Sequence, residues 1–125
     1  GAPNGDLYLV VHLQDDPHLV RQGDDLVLPI SISPGQAVLG DTLEIKGFFG
    51  KEKVRIPSGS PADTVLVLRS KGFKKLNAWG RGDLKIVLHI HIPEKVGRQE
   101  KSLYQDLLDL EKKAGRSQDN HPYLN

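Results

Sequence analysis

Gly82-Asp83-Leu84-Lys85-Ile86-Val87-Leu88-His89-Ile90-His91-Ile92 alternates, with Leu84, Ile86, Leu88, Ile90 and Ile92 on one side and Lys85, Val87, His89 and His91 on the other. A period of two sends successive side chains to opposite faces, so this stretch reads as a β-strand with one face in a core. Residues 5–13, GDLYLVVHL, repeat residues 82–90, GDLKIVLHI, with Gly, Asp, Leu, Val and His identical at five of nine positions and three of the others aliphatic exchanges. Strands draw on few residue types, yet the shared Gly-Asp-Leu opening and the shared His favour duplication. If Gly82–Ile92 closes one subdomain, residues 1–14 are a junction strand that closes an earlier copy, and the chain is expected to be a fragment.

Working outward, Leu26, Leu28, Ile30 and Ile32 alternate with Val27, Pro29, Ser31 and Ser33. Pro29 has no ladder donor, which predicts an edge strand. Shorter strands are expected over Leu43–Ile45, Val54–Ile56 and Val65–Leu68, with turns at Gly23-Asp24, Pro34-Gly35, Gly40-Asp41, Gly50-Lys51, Pro57-Ser58-Gly59 and Gly80-Arg81-Gly82. Short strands with dense turns predict a mostly β chain, with a small two-sheet β-sandwich over residues 15–95. The period then changes. From Arg98 to Lys113, Leu103, Leu107, Leu110 and Ala114 recur at helical spacing beside Tyr104 and Leu108, which makes residues 96–115 an amphipathic helix. Gly97 can cap it, Gly115 stops it, and Lys112 and Lys113 suit the negative end of its dipole. Residues 116–125 read as a polar, flexible tail.

Composition narrows the function classes. One hundred and twenty-five residues suit one small domain with an appendage, and 17 basic against 16 acidic residues leave no global field for nucleic acid or an anionic membrane. With no cysteine, disulfides, thiolate nucleophiles and cysteine-ligated metals are excluded within these residues. Apolar runs fall well short of the roughly 20 residues that span a bilayer, and GAPNGDLY has no signal-like pattern. A cytoplasmic protein that makes no membrane contact is the expectation.

The landmarks Gly5-Asp6-Leu7-Tyr8-Leu9-Val10-Val11, then Pro17, Leu19, Arg21, Gly23, Asp25 and Leu26, then Gln36–Asp41 and Leu43-Glu44-Ile45, occur in a definite order. Ile56-Pro57-Ser58-Gly59, Lys71-Gly72 and Gly80-Arg81-Gly82-Asp83-Leu84 complete it. This series resembles the carboxy-terminal region of DnaJ-type J-domain co-chaperones over almost the whole chain. The pattern departs at Asp16, where a His is usual, at Asp63 and Ser70, where glycines are usual, and at Pro34-Gly35.

The resemblance implies a co-chaperone fragment that binds unfolded client polypeptide, homodimerises through the helix, and serves a DnaK-type heat-shock ATPase. Dimer contacts would come from Leu103, Tyr104, Leu107, Leu108 and Leu110. A client cleft, carried over through the repeat, would use Leu28, Ile30, Leu43, Ile45 and Ile86, which share one face by alternation; an ordinary core fits the same five positions. Stimulation of the ATPase needs a His-Pro-Asp motif, and His121-Pro122-Tyr123 lacks the acid. No cofactor is implied, and no nucleophile–base pair or phosphate loop suggests an enzyme.

Sharper local readings yield to plainer ones. His12, His89 and His91 could suggest a metal, but no cysteine or well-placed carboxylate joins them, so they read as exposed strand histidines. Asp15, Asp16, Asp24 and Asp25 bracket a loop without calcium-loop spacing, and turns favour Asp for backbone bonding. Arg81-Gly82-Asp83 matches an adhesion tripeptide but is explained by the repeated strand opening. Arg69, Lys71, Lys74, Lys75, Arg81 and Lys85, interleaved with Phe73 and Trp79, give the alternative function: a β-sandwich module that binds an acidic tail or nucleic acid through the Arg69–Lys85 loop.

Overall fold

A computed structural model describes residues 8–47, 50–69, 71–72 and 80–115. These fall into two compact units, divided between Ile92 and Pro93. Gly5–Leu7, most of the loop after Arg69 with Phe73 and Trp79, and the tail 116–125 lie outside the described residues.

The first unit is a β-sandwich. One sheet has the order β1-β4-β5, from β1 (Leu9–His12), β4 (Asp41–Gly47) and β5 (Gly50–Ile56). The other runs β2-β3-β7-β6, from β2 (Val20–Gln22), β3 (Asp25–Ile32), β7 (Leu84–Ile90) and β6 (Val65–Leu68). Alternation on β3, β4 and β7 drops Leu28, Ile32, Leu43, Ile45, Leu84, Ile86 and Leu88 into one buried cluster, where burial of each large side chain contributes about 1.5–3 kcal/mol.

Pro29 does not make β3 an edge strand. β3 lies inside its sheet, parallel to β7 from Leu26↔Leu84 to Ile32↔Ile90. The Leu26 N–H donates to the Asp83 carbonyl at 2.9 Å and the Ile32 carbonyl accepts from His91 N–H at 2.8 Å, so the even residues of β3 ladder onto β7. Pro29 turns its missing donor the other way, where β2 has already ended at Val20↔Val27, and no ladder bond is lost. Strand β7 stops at Ile90, leaving Ile92 exposed.

Pro34-Gly35, expected as a turn, instead opens α1 (Pro34–Leu39). Ser33 Oγ accepts the Gln36 N–H at 3.1 Å while Gln36 Oε1 accepts the Ser33 N–H at 2.8 Å, and Pro34 supplies a pre-set φ at the first helical position. The expected turn at Pro57-Ser58-Gly59 docks on this helix: Gly59 and Ser60 N–H groups donate to Val38 and Ala37 carbonyls at 2.9 and 2.8 Å. Gly40, with φ of +81° and Ile56 O within 2.7 Å of any added Cβ, has room for glycine alone.

The second unit holds α2 (Arg98–Lys113). Gly97 is its N-cap without a side-chain bond, Lys112 and Lys113 close its last turn, and Gly115 follows at φ +80° with its N–H donating to Lys112 O.

Candidate functional site

The expected cleft residues are brought together. Leu28 and Ile86 are register partners on β3 and β7, and Leu43 and Ile45 meet them from the facing sheet. Leu28, Leu43, Ile45 and Ile86 have no accessible surface, while Ile30, opposite Leu88, is half-buried.

The chain's own amino-terminal strand contributes to the same core. β1 adds in parallel to the edge of β4 opposite β5, with Leu9↔Leu43 and Val11↔Ile45 in register, and Leu13 N–H closes the ladder onto Lys46 O at 2.8 Å. Val11 and Leu13 drop into the same buried core cluster as Leu28, Leu43, Ile45 and Ile86, and Leu9 packs against it. Gly47 makes the seat for Leu13, because a Cβ at Gly47 would stand 2.7 Å from Leu13 Cβ. The arrangement is strand addition with alternate apolar side chains inserted between two sheets, which is also the chemistry by which a β-sheet edge takes an extended peptide. The repeat marked residues 5–13 as a strand that closes an earlier copy; it did not place that strand on β4.

The far end of the subdomain is locked by the repeated Gly-Asp-Leu opening. Asp25 Oδ1 accepts the Asp83 N–H at 2.7 Å and Asp25 Oδ2 pairs with Lys85 Nζ at 3.2 Å. Any Cβ on Gly82 would fall on the Asp24 carbonyl and within 2.7 Å of Asp25 Oδ1. Arg81-Gly82-Asp83 is thus a strand clamp.

Helix α2 presents Leu103, Leu107 and Leu110 at i, i+4 and i+7 with Tyr104 and Leu108 beside them, and none of the five is buried. His12, His89 and His91 are exposed and dispersed; His89 Nδ1 lies 3.9 Å from Asp63 Oδ1, and among the described residues no three metal-ligating side chains converge. No helix among the described residues is long and apolar enough to cross a membrane.

A family model for the DnaJ C-terminal domain matches residues 1–93, the entire sandwich with β1. The chain belongs to the DnaJ C-terminal domain family. It is 40% identical over 110 residues, 88% of its length, to the chaperone protein DnaJ of Halothermothrix orenii. Likeness to the chaperone protein DnaJ of Methanosarcina acetivorans is 35% over 112 residues, 90% of the chain, and to that of a Geobacillus species 33% over 123 residues, 98% of the chain. These matches occupy 29%, 29% and 32% of the respective DnaJ proteins, so the chain spans about three tenths of the length of the curated relatives it matches.

Proposed function

We propose that this chain is the client-holding and homodimerising part of a DnaJ co-chaperone, which captures extended apolar segments of unfolded proteins and passes them to a DnaK-type ATPase. The observation that supports the client reading is β1 on β4: an extended segment with alternating aliphatic side chains extends the sheet and sends Val11 and Leu13 into the buried cluster that also holds Leu28, Leu43, Ile45 and Ile86. A client segment of similar pattern would take that edge when β1 leaves it. Dimerisation through Leu103, Tyr104, Leu107, Leu108 and Leu110 is supported by a stripe of large apolar side chains exposed along α2. Two such clefts on one particle raise the effective concentration of the second for a long client already held by the first.

Among the described residues the competing basic-loop reading has little to draw on. Lys71 pairs with Glu52 at 3.6 Å, Lys85 with Asp25 at 3.2 Å, and Arg81 donates to the Gly72 carbonyl at 3.4 Å. Titration of an apolar peptide into the isotope-labelled chain tests the client reading. Amide shifts clustered on Val10–Leu13 and Leu43–Lys46 are expected as peptide exchanges for β1; saturating peptide with no shift there overturns it.

A further inference from the structure

The outward face of the three-stranded sheet is basic, and the sequence pattern did not single it out. Since Leu43 and Ile45 point into the core, Thr42, Glu44 and Lys46 point out, and register carries that side to the neighbouring strands: Thr42↔Arg55, Val10↔Glu44↔Lys53, and His12↔Lys46↔Lys51. Among the described residues, the strands thus put four cations on this face with one carboxylate, Glu44. Among the described residues none of Lys46, Lys51, Lys53 and Arg55 is ion-paired. Lys51, Lys53 and Arg55 are exposed, and His12, Lys46 and Lys51 line, together with Asp15, a recess of about 300 Å³ at one end of the face.

We infer that this face, along β5, is a docking surface for an acidic polypeptide segment in extended conformation. Alternate residues on a strand stand roughly 6.6–6.8 Å apart, so Lys51, Lys53 and Arg55 form an evenly spaced row. A peptide with carboxylates at every second residue repeats the same distance. β5 is the terminal strand of its sheet among the described residues, and a segment added there would bring the Cβ atom of each acidic residue to about 4.5–5.5 Å from that of the basic residue opposite it. A nucleic acid could match the charge but not the backbone ladder. It would also want free aromatic faces, and Tyr8, on this side of the sheet, already has Lys53 Nζ lying 4.7 Å from its ring centroid. The chain's near-neutral total makes the attraction local to this face. This surface lies on the opposite side of the sheet from the apolar cleft, and the two stand or fall separately.

Fluorescence anisotropy with three labelled probes tests it: a twelve-residue peptide alternating Glu and Thr, its Lys–Thr counterpart, and a thymidine oligonucleotide of equal length. The Glu–Thr peptide is expected to bind, to weaken as salt rises, and to lose at least about tenfold in affinity when Lys53→Glu and Arg55→Glu are combined, with Lys101→Glu on α2 leaving affinity unchanged. Circular dichroism checks that the double variant folds; should it not, the Lys53→Gln, Arg55→Gln pair takes its place with a smaller loss of at least about threefold. Absence of Glu–Thr binding, equal binding by the folded variant, or tighter binding of the oligonucleotide than of the acidic peptide would each overturn the proposal.

Discussion

Asp25 and Asp83, fifty-eight residues apart, are joined at 2.7 Å by a hydrogen bond from the Asp83 backbone N–H to the Asp25 carboxylate. The bond fixes where β7 begins against β3, so it sets the register that puts Leu84, Ile86 and Leu88 in the core. A part-buried bond to a charged acceptor is worth about 1.5–3 kcal/mol, and Asp25→Ala should lower unfolding free energy by that order. Asp25→Asn should restore part of it, since its amide oxygen can still accept from Asp83 while the pair with Lys85 is lost. Urea titrations of the three proteins check this, and equal stability of all three would remove the clamp.

Leu13 has no accessible surface and sits in the seat that Gly47 leaves open. Leu13→Ala should cost about 2–5 kcal/mol in stability, and it should also loosen β1 from β4. If clients replace β1, apolar peptide affinity rises in this variant while its urea midpoint falls. A loss of affinity in step with stability would show that β1 belongs to the binding surface.

The chain should sediment as a dimer. An unpaired charge in the middle of the α2 stripe would be desolvated in the dimer at a cost of several kcal/mol, so Leu107→Asp should yield monomer with the sandwich intact. Sedimentation equilibrium with near-ultraviolet circular dichroism reads both, and a wild-type monomer at tens of micromolar, or an unchanged dimer after the substitution, contradicts the contact.

Asp63 occupies the left-handed region at φ +68°, held by its N–H donating to Leu88 O at 2.8 Å. Its exposed carboxylate stands 3.9 Å from His89 Nδ1, too solvated to offset much of the backbone strain. Asp63→Gly should therefore stabilise the sandwich by about 0.5–1 kcal/mol, visible as a higher urea midpoint. A lower midpoint would mean that the His89 contact outweighs the strain.

Periodicity is a local property, and what depended on it alone was legible in the sequence: the alternation of β3 and β7 and the helix over Arg98–Lys113. The repeat marked β1 as a strand but not its place, since β1 ends its sheet while β7 lies inside its own. Helix α1 escaped because six residues are too few for a helical period, although the Ser33–Gln36 capping box was its sign. Register between strands distant in sequence is settled by pairing and burial together. Only the tertiary structure could therefore decide that β3 is interior despite Pro29, and that β1 lies parallel to β4 over Leu43 and Ile45. The same holds for Lys46, Lys51, Lys53 and Arg55, which became one surface because the hairpin of β4 and β5 pairs Lys46 with Lys51 and turns every second side chain outward.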